Sequence, residues 1–119
     1  MVKTLVFGAS LNPGRYSNLA IRRLVENKVE TAAFGVREGT VSGVQIKTNL
    51  GDFQSVDTIT LYINPARQEE YYQQILDLKP RRVIFNPGTE NPGFYHMLKE
   101  AGVQVENSCT LVLLATGQY

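Results

Sequence analysis

One cysteine, one histidine, almost no net charge and no long apolar run: each scarcity in this sequence removes a class of function. Cys109 alone cannot close an internal disulfide, and with His96 as the lone histidine the chain cannot supply the usual four ligands of a zinc site, so no metal is expected. Lys and Arg total 12 against 11 Asp and Glu, and a net charge of +1 creates no field to draw nucleic acid or an anionic membrane. Neither is expected as a partner, and any anion binding must be local. No apolar stretch approaches a membrane span, and residues 1–16 break into Gly, Asn, Pro and Arg too early for a signal sequence, so a cytoplasmic protein is expected. There is no internal repeat or low-complexity tract. At 119 residues, 43% of them hydrophobic, residues 1–119 read as one domain with one real core.

What is present is an alternation of two periodicities. Residues 3–9 form a short apolar run ending near glycine, the pattern of a buried strand. From Tyr16 onward, Tyr16, Leu19, Ala20 and Leu24 recur at helical spacing, with Arg22, Arg23 and Glu26 elsewhere on the turn. Thr31–Val36 reads as a second strand, and residues 37–53, rich in Gly, Thr and Asn, as irregular with room for a small hairpin. Thr58–Ile63 is a third strand. Asn64-Pro65 then supplies a cap and first-turn proline for a helix carrying Tyr71, Ile75 and Leu78 on one stripe, ended by Lys79-Pro80. Arg82–Asn86 is a fourth strand, Asn91-Pro92 opens a helix with Phe94, Leu98 and Ala101 inward, Gly102 closes it, and Val103–Val105 begins a fifth strand. Strands alternating with helices of this length predict a single Rossmann-like, doubly wound α/β domain: a mainly parallel five-stranded sheet with helices on both faces.

Such folds bind anions between the first strand and first helix, where this chain has Gly8-Ala9-Ser10-Leu11-Asn12-Pro13-Gly14-Arg15-Tyr16-Ser17. Gly8 allows a tight turn, small Ala9 and Ser10 let a ligand approach, and the helix start offers amide donors with a favourable dipole. Arg15 can make two parallel bonds to phosphate oxygens, and Ser10, Asn12 and Ser17 add donors. An ordinary strand-to-helix turn would use the same residues, with Ser17 as N-cap and Arg15 solvated. The dinucleotide fingerprint is missing, because Ser10 and Pro13 stand where the second and third glycines belong. After the second strand, where an acid would hold a free ribose diol, the first polar residue is Arg37; a base there suits a phosphorylated ribose, as in NADP or coenzyme A. Two further strand ends, Asn64-Pro65-Ala66-Arg67 and Asn86-Pro87-Gly88-Thr89-Glu90, lie on the same edge, and Gly88 offers the closest backbone approach to a ligand.

With the Gly-Ala-Ser-Leu-Asn-Pro-Gly-Arg-Tyr-Ser-Asn loop, the Asn64-Pro65 turn, Pro87-Gly88-Thr89-Glu90-Asn91 and Lys99-Glu100-Ala101-Gly102-Val103 in order, the chain resembles the stand-alone CoA-binding domain proteins. These are small bacterial proteins similar to the nucleotide-binding domain that begins the succinyl-CoA ligase α subunit. The resemblance implies that Gly8, Ala9, Ser10, Asn12, Arg15 and Ser17 form the phosphate-facing loop of a CoA site. It also implies that Arg37 lies near the adenosine end and that Asn64, Pro65 and Gly88 flank the crevice. Gly35-Val36 departs from the family's Asn-Pro before that basic residue. The apolar tail from Cys109 to Tyr119 is expected to pack on the domain or to pair with another copy, which leaves a homodimer or another protein partner open.

No nucleophile, base and acid can be assembled. Related ligases use a phosphorylated histidine in a second domain that this chain lacks, and His96 lies about 200° around its helix from Leu98, on the solvent side. Cys109 precedes an apolar run, no serine has a Gly-x-Ser-x-Gly setting, and Asp52 with Asp57 reads as loop solvation. Three functions remain: a module that binds coenzyme A or an acyl-CoA as carrier, sensor or regulator without chemistry of its own; a small NADP-dependent or acyl-CoA-using enzyme; and a structural partner that has lost its nucleotide ligand.

Overall fold

The computed structural model of the chain describes residues 3–119. In chain order, β1 (Lys3–Phe7) leads through α1 (Tyr16–Glu26) to β2 (Glu30–Phe34), and β3 (Gly39–Val41) and β4 (Val44–Lys47) follow as a hairpin. β5 (Thr58–Leu61) is followed by α2 (Pro65–Gln68) and α3 (Tyr72–Asp77), β6 (Arg82–Phe85) by α4 (Pro92–Glu100), and β7 (Gln104–Asn107) by α5 (Thr110–Ala115). The sheet runs β3-β4-β2-β1-β5-β6-β7, with every neighbouring pair parallel except β3 with β4.

The expected α/β, mainly parallel architecture is present, but the described residues form seven strands rather than five. The additional two lie in the segment read as irregular. Ser42 and Gly43, with φ of 49° and 80°, make a two-residue turn, and β4 docks beside β2 with Ala33 opposite Ile46. These strands are short, and the only residues they bury deeply are Val41 and Ile46, too few to set up a readable alternation.

Alternation across the pleat sends side chains to two cores. Leu5, Phe7, Ile59, Leu61, Val83 and Phe85 face Ile75 of α3 and Phe94 and Leu98 of α4. Val6, Ala33 and Ile46 face Ile21 and Leu24 of α1 and Leu114 of α5. Burial on both sides explains why β5 and β6 have no exposed residue.

Both Asn-Pro signals cap helices as expected. Asn64 Oδ1 accepts the Arg67 N–H at 3.0 Å and Asn91 Oδ1 accepts that of Phe94 at 3.2 Å, with Pro65 and Pro92 opening the helices. Three details differ. Tyr16 is 73% exposed, because it is the first helical residue; the buried stripe runs Ser17, Asn18, Ala20, Ile21 and Leu24. Ala101 is exposed, being the C-cap rather than an inward residue of α4. The helix after Asn64 is interrupted by a 3-10 turn at Glu69–Tyr71, where Tyr71 packs edge-on against Phe7 and Phe34, with ring centroids 5.2 and 5.6 Å away.

The apolar tail packs on its own domain. α5 lies against α1, and Asn86 ties its start to the sheet, donating to Thr60 Oγ1 and the Leu61 carbonyl at 2.6 and 2.8 Å and accepting the Thr110 N–H at 2.8 Å. Tyr119 meets the Thr4 hydroxyl and lies under the Arg82 guanidinium, 4.8 Å from its ring centroid.

Asp57 is not loop solvation. Its carboxylate takes both Arg81 Nε and Nη2, at 2.9 and 3.0 Å, at the start of β5. The hydrogen bonds from Arg81 hold its pKa below the usual carboxylate value against the opposing effect of partial burial. A depressed folded-state pKa contributes stability that is complete above the unfolded value and lost as pH falls through the folded one. Asp57→Asn is therefore expected to cost under about 1 kcal/mol at pH 7, since Arg81 is mostly exposed, and the two urea-unfolding stabilities should converge as pH falls below about 4.

Candidate functional site

The chain leaves β1 toward β2 on one side and reaches β5 on the other, so strand order reverses between β1 and β5, the place where open parallel sheets hold ligands. A crevice of about 490 Å³ opens at the carboxyl ends of these strands. Its walls are Phe7–Ser10 and Arg15–Ser17 on one side, Tyr62–Asn64, Arg67 and Tyr71 on the other, Phe34–Val36 at the end of β2, and Pro87–Thr89 after β6.

The first loop is held down from three directions. Gly8 adopts φ +98°, and a Cβ there would stand 2.7 Å from Ile63 Cγ2, so both conformation and space require glycine. The N–H groups of Gly8 and Ala9 both point to the Phe34 carbonyl, at 2.9 and 2.8 Å, and so anchor the loop to β2 rather than facing a ligand. Ser10 Oγ accepts the Asn12 N–H at 3.1 Å, and Asn12 Oδ1 accepts that of Gly14 at 2.9 Å. Asn18, buried in α1, donates to the Ser10 carbonyl at 2.9 Å and accepts Arg22 Nε at 3.0 Å, while Arg22 also reaches the Pro13 carbonyl at 3.2 Å. Neither Asn18 nor Arg22 was expected at the site.

Ser17 is not the N-cap. That position belongs to Arg15, whose side chain makes no capping bond, so the amide N–H groups of Tyr16 and Ser17 have no acceptor among the described residues. Ser17 is buried, at 4% exposure, and its side chain has no hydrogen-bond partner there either. The helix end thus presents unsatisfied donors and the positive end of its dipole to the crevice.

Among the described residues, the charged side chains lining the crevice are Arg15 and Arg67, with no carboxylate. Glu90 turns back to accept the Gly88 N–H at 2.8 Å. Beneath the basic rim lie Phe7, Phe34, Ile63 and Tyr71. Tyr62 also lines the wall; its hydroxyl is buried without a hydrogen-bond partner among the described residues, and burial pushes its pKa above the ordinary tyrosine value. The two far walls are bonded together: Gln68, fully buried, donates to the carbonyls of Ile63 and Thr89 at 3.0 and 2.8 Å, and accepts from Asn91 at 3.0 Å.

Of the residues singled out from sequence, Gly8, Ala9, Ser10, Arg15, Ser17, Asn64 and Gly88 line the crevice together. Asn12 shapes the loop without lining it, Pro65 opens α2 behind Asn64, and Arg37 stands outside the lining, where Val36 takes the place beside Gly35. Tyr16 and Arg67, inside segments placed at this edge but not themselves singled out, line it as well, and Tyr71 joins them from outside those segments. The Asn64-Pro65-Ala66-Arg67 sequence was the available signal for Arg67; Tyr71 was hidden in an apparently buried stripe.

Gly8→Ala should destabilise the fold by about 1–3 kcal/mol in urea unfolding, because it combines a left-handed φ with a clash against Ile63.

Solved structures share this architecture. A crystal structure of an uncharacterized protein superposes at a TM-score of 0.95 with 44% identity, covering 100% of this chain and 98% of that one. A protein from Thermus thermophilus, cell-free ID.343, superposes at 0.89 with 21% identity over 99% of this chain and 90% of its own. A hypothetical protein from Pyrococcus horikoshii OT3 gives 0.84 with 22% identity, covering 92% and 78%; these last two likenesses show the fold alone. No curated protein matches the sequence. The CoA binding domain family matches residues 2–115, nearly the whole chain including the crevice and every wall around it, and this chain belongs to that family.

Proposed function

We propose that the crevice binds coenzyme A or an acyl-CoA, and that the chain serves as a carrier, sensor or regulatory module without chemistry of its own. The observation that carries this reading is the amide pair of Tyr16 and Ser17 beside Arg15, unsatisfied among the described residues, in a crevice that none of their carboxylates lines. Its charge and its unmet hydrogen-bond demand support a phosphate ligand there. The apolar floor suits the uncharged parts of such a ligand.

In this reading Ser10, Arg15 and Ser17 face the phosphates, while Gly8, Ala9 and Asn12 keep the loop in shape. Asn64, with Pro65 behind it, and Gly88 flank the ligand, and Arg37 reaches the adenosine end from beyond Val36. Membership of the CoA binding domain family supports coenzyme A over other phosphorylated nucleotides. An enzyme using NADP or acyl-CoA would need an acid or base at the crevice, and the proton-transferring side chains lining it are tyrosines.

Calorimetric titration with CoA, acetyl-CoA, NAD and NADP tests the reading. CoA or acetyl-CoA should bind selectively, and Arg15→Ala should lose about 1.5–3 kcal/mol of that affinity with the fold intact. Selective binding of a nicotinamide nucleotide, or no nucleotide binding, would overturn the assignment of ligand. Unchanged CoA affinity in folded Arg15→Ala would remove Arg15 from the site.

A further inference from the structure

The wall opposite the α1 N-terminus carries a cation that the loop-based reading leaves unused. Arg67, in the first turn of α2, lines the crevice from the β5 side, facing the side that carries Arg15 and the free amides. Its guanidinium makes no ion pair and no side-chain hydrogen bond among the described residues, and the same holds for Arg15. By contrast, Arg23, Arg81 and Arg82 each hold a carboxylate. The backbone beneath Arg67 is fixed. Its N–H is held by Asn64 Oδ1 at 3.0 Å, and the next residue, Gln68, is fully buried and bonded to two loop carbonyls.

We propose that Arg67 is a diphosphate-reading residue, closing on the ligand from the wall opposite the amides so that the two phosphates are held between Arg67 and the Arg15–Ser17 turn. This rests on the nucleotide reading of the crevice and sharpens it. The side chain that specifies a diphosphate comes from the turn after β5, outside the first loop. A guanidinium there suits the role, since it can bridge oxygens of two adjacent phosphates, which a single ammonium does poorly.

The test is calorimetry of wild type, Arg67→Ala and Arg67→Lys with CoA, dephospho-CoA, ADP and inorganic diphosphate, with thermal unfolding as the check on folding. Arg67→Ala should weaken CoA, dephospho-CoA and ADP by a similar factor of about ten or more, with Arg67→Lys recovering part of it and Tm unchanged. CoA binding untouched by Arg67→Ala would overturn the role of Arg67 and leave the CoA site standing. A loss confined to CoA and absent for dephospho-CoA and ADP would also overturn it, because Arg67 would then read the ribose phosphate. Binding of diphosphate that depends on Arg67, in a protein that ignores CoA, would keep the clamp and overturn the CoA reading. A wild-type protein that binds none of the four would overturn both.

Discussion

Everything at the site depends on how the chain turns out of β1. Phe34, at the end of β2, gives its one carbonyl to two successive amides, those of Gly8 and Ala9, and Ile63 closes in where a Gly8 side chain would be. The turn is thereby pinned to both neighbours of β1 at once. From that point the loop can only rise to α1, and Asn18 and Arg22 reach back from the helix to hold the carbonyls of Ser10 and Pro13. Anchoring consumes the first two amides of the loop, while at its far end Arg15 caps α1 without a side-chain bond and leaves the Tyr16 and Ser17 amides unpaired among the described residues.

The rest of the fold frames that turn. β5 to the other side of β1 supplies a second wall, and the buried Gln68 and Asn91 couple it to the loop after β6. The tail secures the far face through Asn86 and Thr110. A site with walls fixed by buried, satisfied polar groups needs little rearrangement to receive a ligand, which lowers the entropic cost of binding. Its basic rim over an aromatic floor is what the proposed reading uses, the rim for the phosphorylated part of the ligand and the floor for the uncharged part.

The central strands, the Asn-Pro caps and the glycine turn from β1 into α1 were legible in the sequence because each rests on a local rule: a continuous apolar run, a capping side chain, a glycine before a helix. What was not legible depends on tertiary partners. β3 and β4 bury too little to show a period. Ser17 and Asn18 belong to the buried stripe of α1 although both are polar, which drew the apolar pattern toward Tyr16 instead. Tyr71 breaks its helix to meet Phe7 and Phe34, and Arg67 acquires its place only because that helix begins at the rim of the crevice. Gly8 and Ala9 were read as facing a ligand; their amides are spent on Phe34, a bond invisible until β2 is laid beside β1.

The most direct test of this account is an amide-resolved NMR titration of the protein with CoA. The N–H signals of Tyr16 and Ser17 should move furthest, as unpaired donors gaining an acceptor, while those of Gly8 and Ala9 stay protected from hydrogen exchange before and after binding. Saturable shifts centred elsewhere, on β7 or the outer face of α4, or a bound state in which Tyr16 and Ser17 do not move, would contradict it.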